Sequence, residues 1–517
     1  MLAGPVAVPP VAVPAAASSS SPLPSGADSR GPLPPAVMAG LMLAILLGAL
    51  EQNIVGIALP SIALQLQGFE WMAWVVSAYL VASTVATPIY GRLGDLYGRR
   101  RVLASAIGLF VLASVACAAA RSMPELVLAR VLQGLGGGGL ITTAQAVIAD
   151  MVPLRERGRY QGYISSVWAF AGAVGPVAGG FIAHWLSWRW IFWLNLPLGL
   201  LTLAVIWRAL AQLPRSARRP RLDLAGAALL GGGTAALLIA VTRAGQGAPL
   251  LAPASLALLI GGALAIALFL RHERRTPEPL LPLGLLRDPT IARCTLGLAL
   301  AFAALMSVAV LLPLRLQLVA GLAPNTAALW MLAFSLGVPA GAFSAGRVML
   351  RSGRYRPTLR LGSSLVPLGL ILLALLPGDL PWPSALAVLV VGAALGMQLP
   401  TSLVAVQNAA PRDQVGIATA LTVFTRLLGG AIGVACVGAV FVAALKASAP
   451  TDVTPSLSDL LHGALAPQAG ADGPALRAAA DQALRIAFLA ALLPALLAVG
   501  VVVGIPDREL NRAPARR

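Results

Sequence analysis

Glu51 is the one carboxylate that stands well inside an oily stretch of this 517-residue sequence, and Ala44, Gly48, Val55 and Ala58 share its face at helical spacing. A carboxylate away from water is costly unless it is paired, hydrogen-bonded or protonated. A group that is charged in one conformation and neutral in another couples a conformational cycle to protons. Glu51 is therefore a candidate proton carrier. Recognition of a cation by the same carboxylate and a structural hydrogen-bonding role are the other readings. Three arginines, Arg130, Arg315 and Arg426, also fall inside apolar runs. An arginine at such depth needs a partner or water. Arg130 is followed by Gln133, Gly134 and Gly137. Steps of three and four put them on one small-residue face, which packs on protein rather than lipid. Arg426 precedes Gly429-Gly430 by one turn. It fits a partner for a carboxylate, a contact for a substrate anion, or a packing residue. Arg315 lies near the outer end of its run, in Leu312-Pro313-Leu314-Arg315-Leu316-Gln317, and is a candidate on the substrate side.

These residues need a scaffold that lives in lipid. The chain is 58% hydrophobic and 11% charged, against roughly 25% charged in an average soluble domain. A spanning helix needs about 20 predominantly apolar residues. Fourteen runs qualify, from 36–57 and 72–90 at the start to 416–442 and 484–504 at the end. They are too long for strands and do not alternate, and open sheet edges do not face lipid. The net charge of +18 comes from short basic clusters between the runs, not from one patch, so nucleic-acid binding is not expected. With both termini in the cytoplasm, the large majority of the 37 basic residues fall in cytoplasmic segments, as the positive-inside rule requires. Cys117, Cys294 and Cys436 all lie in apolar runs and read as small buried packing residues. No metal-ligand spacing is present, so no metal and no cofactor beyond a proton gradient is expected. A membrane enzyme would need a clustered polar site, and no phosphate-binding Gly-x-x-x-x-Gly-Lys-Ser/Thr loop marks an ATPase. Non-enzymatic transport by a monomer is the expectation.

Gly91-Arg92-Leu93-Gly94-Asp95-Leu96-Tyr97-Gly98-Arg99-Arg100-Arg101 joins the second and third runs. It reads as a loop whose glycines permit a tight turn. Asp95 is placed there to pair with a loop arginine or to meet a neighbouring helix terminus. A fragment of the pattern returns 255 residues later, where Gly346-Arg347-Val348 and Gly353-Arg354-Tyr355-Arg356 follow the tenth run. Duplicated halves are a common way to build secondary transporters. The chain then divides into a disordered cytoplasmic tail (1–35), a six-helix half (36–208), a linker with two inserted helices (209–288), a second six-helix half (289–505) with a long external loop (443–483), and a cytoplasmic tail (506–517). Short helices such as Ser456 to Ala464 are expected in that loop.

Several motifs, in order, resemble one family. The Gly91–Arg101 segment resembles the signature loop of the major facilitator superfamily. Leu128-Ala129-Arg130-Val131-Leu132-Gln133-Gly134 resembles a pattern whose arginine is implicated in proton transfer. Ala171-Gly172-Ala173-Val174-Gly175-Pro176-Val177-Ala178-Gly179-Gly180 resembles the antiporter signature of drug exporters. Leu50-Glu51-Gln52-Asn53 through Pro60 resembles the first-helix motif of the fourteen-helix drug:proton antiporters, the EmrB/QacA-like group. That group usually has Asp-x-Thr where this chain has Glu51-Gln52-Asn53, so substrate range and coupling differ. The resemblance implies an all-α polytopic membrane protein with the major facilitator fold: two six-helix halves plus two inserted helices. It implies proton coupling through Glu51 and Arg130, and substrate contacts at Glu51, Gln52 and Asn53; Arg315, where relatives more often carry an aromatic, and Arg426 join them as substrate-side candidates of this chain's own. It also implies gating by Gly91, Asp95, Gly98, Arg99 and Arg100, and an antiporter motif of Gly172, Gly175, Pro176, Gly179 and Gly180. The function it implies is export of hydrophobic or amphipathic drugs across the cytoplasmic membrane by alternating access. Export of a self-made metabolite or lipid-like compound is the alternative, and uptake by symport fits the Gly-Pro signature less well.

Overall fold

The computed structural model describes residues 34–67, 71–210, 223–245, 252–276, 279–322, 324–411, 414–448 and 473–510. Fourteen of its helices are long and apolar enough to cross a membrane. Among the described residues the only β feature is one isolated bridge, Arg354 to Glu509. The chain is a multi-pass membrane protein.

Five long helices open the chain: α1 (Pro35–Leu66), α2 (Met72–Tyr97), α3 (Arg99–Ala119), α4 (Met123–Met151) and α5 (Leu154–Trp185). A short helix α6 (Arg189–Trp193) runs into α7 (Asn195–Ala209), and the two together make one span. Next come α8 (Leu224–Gly245) and α9 (Pro253–Glu273), which pack on each other, with α8 also packing on α2 and α14. The last group is α10 (Pro289–Leu314), α11 (Pro324–Ser352), α12 (Arg356–Leu375), α13 (Pro381–Ala409), α14 (Val415–Ser448) and α15 (Gly473–Val503). Within it, α11 packs on α13, and α10 on α14 and α15. The even number of spans among the described residues returns Pro35 and Leu510 to one face of the bundle, called here the termini side.

Lipid tails are as apolar as leucine, so close packing rather than water exclusion holds such helices together. Small residues are where it shows. A Cβ placed on Gly337 or Gly341 would run into the backbone of α13 at Leu389 and Ala393, and one on Gly392 or Gly396 into that of α11 at Phe334 and Val338. The outward faces carry Leu112, Leu224 and Leu493, all largely exposed, as suits a lipid-facing surface.

Three expectations from sequence need correction. Hydropathy registers lipid, not backbone hydrogen bonding, so most helices outrun their apolar runs. α14 reaches Ser448 and α15 begins at Gly473, so the segment between the last two helices is shorter than 443–483, and Arg477 and Arg485 are helical. Residues 449–472, with the helix expected at Ser456–Ala464, lie outside the described residues, as do the tail residues 1–33 and 511–517. The Gly91–Arg101 segment is not a loop: α2 stays helical through Tyr97, and Gly98 alone breaks it, at φ 88°. Of the cysteines, Cys117 and Cys294 are buried but Cys436 is exposed.

The C-terminal end is stapled to the termini side. Tyr355 donates its hydroxyl to Pro506 O at 2.9 Å, and Arg508 donates to Asp288 at 2.9 Å. Burial pushes the Asp288 carboxyl up. The bonds from Arg508 and from the Thr290 and Ile291 backbone outweigh this and leave it below the ordinary carboxylate range.

Candidate functional site

α4 is the spine of the site, and its glycines explain why. Gly134 and Gly138 lie against the backbone of α2 at Tyr79 and Ser83, while Gly136 lies against Phe110 of α3, where a Cβ would stand 2.6 Å from the backbone nitrogen. Any side chain there would push the helices apart. The glycines therefore wedge α4 between α2 and α3, and the wedge carries Arg130 into the interior, 1% exposed.

Three helices meet at that guanidinium, and two more join through its partners. Nη1 of Arg130 donates to Glu51 Oε1 of α1 at 2.5 Å and to Gln133 Oε1 at 2.6 Å. Its Nε donates to Val75 O of α2 at 3.1 Å, and its plane lies 4.4 Å from the centre of the Tyr79 ring. The second Glu51 oxygen accepts from Asn195 Nδ2 of α7 at 2.5 Å. Gln133 Nε2 donates to Ser114 Oγ of α3 at 2.7 Å, and Ser114 donates on to Phe110 O at 2.9 Å. Both carboxylate oxygens and most guanidinium donors are thus occupied, in a setting with Glu51 itself 1% exposed.

The chemistry of this arrangement is a switchable pair. A buried ion pair holds only while both charges persist. Val75 O, Gln133 and the Tyr79 face remain on Arg130 if Glu51 takes a proton, so the arginine is not stranded. Asn195 remains beside Glu51. Both protonation states of Glu51 therefore have partners waiting.

Sequence reasoning found Glu51, Arg130 and Gln133 but missed Asn195 and Ser114. Their signal was present: an amide and a hydroxyl in the middle of spans that otherwise need no polar group. Gln52 and Asn53 follow Glu51 and are half-buried. Asn53 donates to Ala49 O at 2.7 Å on its own helix and faces Gly175 of α5. Gly175 and Gly179 let α5 close on Asn53 and Ile54, Gly172 turns toward Ser335 of α11, and the helix continues through Pro176 to Gly180.

Arg426 stands elsewhere, on α14, 4.8 Å over the ring of Phe302 of α10. Arg315 is not where the substrate reading put it. It is fully buried and donates to Leu373 O and Leu376 O at the end of α12, with the Phe488 ring beside it. The last carbonyls of a helix lack intrahelical donors and carry partial negative charge, which draws a cation. Arg315 belongs to that helix end rather than to a substrate surface.

On the termini side, Asp95 does two things at once. One oxygen accepts from Arg99, which also donates to Asp150 at 2.9 Å. The other accepts from the backbone N–H of Ile417 at 3.0 Å, in the first turn of α14. A carboxylate at a helix N-terminus meets unsatisfied donors and the positive end of the dipole. Gly91 allows the approach, since a Cβ there would meet Ala420 and lie 3.3 Å from Gly416 O. Gly346 repeats the contact in the other pairing, against Gly158 of α5, and Gly353 repeats Gly98 with φ 67°. The repeat does not keep the acid: the position 255 residues after Asp95 is Leu350. Arg100 faces away, with its guanidinium 4.3 Å from the centre of the Trp207 ring. Arg157 adds a cross-link, donating to Gln407 of α13 at 3.0 Å.

A charge-assisted bond is worth about 1.5–3 kcal/mol. Asp95→Asn is accordingly expected to loosen this side: hydrogen exchange of the α14 first-turn amides around Ile417 should rise by roughly ten-fold or more. Unchanged protection there would mean that Asp95 does not hold α14.

Comparison with known proteins bears on the whole chain. The family model described as Major Facilitator Superfamily matches residues 41–434. An MFS-type transporter of Mycobacterium tuberculosis (strain H37Rv) is 32% identical over 520 residues, covering 98% of this chain and 73% of the relative. The multidrug transporter protein MdtP of Bacillus subtilis is 30% identical over 406 residues, covering 78% and 74%. Among solved structures, the proton:xylose symporter XylE superposes with a TM-score of 0.61 at 17% identity, over 92% of this chain and 97% of that one.

Proposed function

This chain belongs to the major facilitator superfamily of transporters, and from that premise we infer that it exports hydrophobic or amphipathic compounds across the cytoplasmic membrane in exchange for protons. The termini side is the cytoplasmic side in this reading, as its arginine-rich segments favour. The observation that carries the proposal is the Glu51–Arg130 pair. It sits within the bundle, balanced to neutrality, with separate partners for each member once the pair parts. Substrate arrival and proton binding would compete for the same charge balance, which is the physical content of antiport.

Alternating access supplies the other half. The contacts of α2 with α14 and of α5 with α11 are held on the termini side by Asp95, Arg99 and the Gly91 and Gly158 approaches. A conformation closed on that side is open, or ready to open, on the other. Protons returning inward would reset the pair, and the cytoplasmic contacts would part to admit the next substrate. The helix-5 glycines at 172, 175 and 179 hold α5 against α1 and α11, so the hinge surface and the charge pair share α1. The similarity to a multidrug transporter favours export of foreign compounds over uptake.

Efflux from a pump-deficient host tests the proposal. Cells expressing the protein should lower their content of a transported dye or antibiotic, and a protonophore should abolish that lowering within minutes. Efflux that persists at full rate in the protonophore would contradict proton coupling.

A further inference from the structure

Four charged side chains lie within the apolar runs, and three have counter-charges or acceptors in place. Glu51 and Arg130 hold each other, and Arg315 holds the α12 carbonyls. Arg426 is the exception among the described residues: no carboxylate pairs with it, its Nε is buried without an acceptor, as that of Arg315 is, but no carbonyl takes its remaining donors, and its one marked contact is the Phe302 ring. Such a charge is expensive in a membrane interior, so its lack of a partner calls for an explanation.

The surroundings of Arg426 are built. Gly429 and Gly433 are bare against the backbone of α10 at Ala299 and Ala303. That close approach brings Phe302, one residue from Ala303, under the guanidinium. The face of Arg426 continues through Gly430, Gly433 and Val437, all turned into the protein, whereas Ile432 and Cys436 turn outward. Arg426 nevertheless keeps an open edge. Beside it runs an apolar wall: Phe302 with the half-buried Met306, Phe334 and Leu399.

We propose that Arg426 is the docking point for an anionic head group, and that the compounds this protein moves include amphipathic monoanions, their aromatic or aliphatic body lying on the Phe302–Met306–Phe334–Leu399 wall. A guanidinium offers two parallel N–H donors that match a carboxylate or sulfonate. Phe302 stacks against the cation's face, and no acceptor among the described residues takes its N–H edges, which leaves them for such a head group. The pair at Glu51 adds no net charge, and Arg315 is held at the far end of α12, so Arg426 is the uncompensated charge beside this wall. Outward movement of an anion is itself favoured by an inside-negative potential. The proposal rests on the reading of the chain as an exporter but not on proton coupling.

Equilibrium binding to the full-length protein in lipid nanodiscs tests it without any gradient. The probes are 4-(1-pyrenyl)butanoate, its uncharged amide and the matching primary amine. Wild type should bind the butanoate roughly ten-fold more tightly than either of the others, about the worth of one charge-assisted contact. Arg426→Gln should erase that preference while leaving amide binding within about three-fold, which reports that the apolar wall is intact. Arg426→Lys should keep part of it. Tightest binding of the amine by wild type, or an undiminished anion preference in Arg426→Gln, would overturn the proposal. Should Arg426→Gln bind none of the probes, Arg426→Lys decides: if it binds the amide normally without favouring the butanoate, the proposal fails. Protonophore-resistant efflux would defeat the coupling mechanism and leave this result untouched.

Discussion

Replacing Glu51 with glutamine is expected to abolish uphill export while leaving downhill exchange intact. The amide is nearly isosteric, keeps a donor and an acceptor for Asn195 and Gln133, and cannot ionise. Every step that needs the pair to form and part through a proton is lost. The membrane potential supplies roughly 2.3 kcal/mol per charge per 100 mV, and each 1.4 kcal/mol is a tenfold ratio. For an uncharged substrate, one proton per cycle thus supports an outward gradient of about 40-fold at that potential. Glu51→Gln should bring the steady-state ratio of an uncharged substrate to about one in energised proteoliposomes, while substrate counterflow stays within about three-fold of wild type. A variant that still concentrates substrate would remove Glu51 from the coupling.

Arg130→Met should be the most damaging single change to stability. It leaves the Glu51 carboxylate buried beside Tyr79 and Asn195 with no counter-charge. Breaking a buried pair from one side costs about 3–5 kcal/mol, whereas replacing both charges is often neutral. The apparent melting temperature in detergent should therefore fall sharply in Arg130→Met and recover in large part in the double variant Glu51→Gln with Arg130→Met. A protonated Glu51 needs no counter-ion, so the Arg130→Met defect should shrink as pH is lowered and grow as pH rises. A double variant as unstable as the single one would mean that Arg130 acts through packing on Tyr79 and Val75, not through charge.

Much of the scaffold was legible because lipid enforces a simple rule. Twenty apolar residues in a row have few uses, so the fourteen runs could be counted from the sequence. The chemistry was legible by the same rule inverted. A lone Glu51 and a lone Arg130 in such runs had to be there for a reason, and each could be assigned to a helical face. That the two faces meet, across 79 residues of sequence, is a matter of packing. It follows from the α4 glycines wedging between α2 and α3, a tertiary fit that periodicity along one helix does not encode. Asn195 and Ser114 escaped for the same reason: an amide or hydroxyl announces a partner without naming it. Arg315 misled because its depth in the run was right but its surroundings were the end of another helix, 58 residues away. The segment after Gly91 misled differently. Its charges and glycines suggest a loop, yet a helix leaving the membrane keeps its own hydrogen bonds, and only the positive φ at Gly98 ends it.

The central claim is that Glu51 changes its protonation as Arg130 releases it. Infrared difference spectroscopy of the protein in lipid sees this directly, since a protonated carboxyl has a C=O stretch that a carboxylate lacks. Addition of a transported compound, or a pH step, should produce a carboxyl band in wild type that is missing from Glu51→Gln and kept in Asp95→Asn. A band that survives Glu51→Gln unchanged, or no band at all during active exchange, would contradict the account.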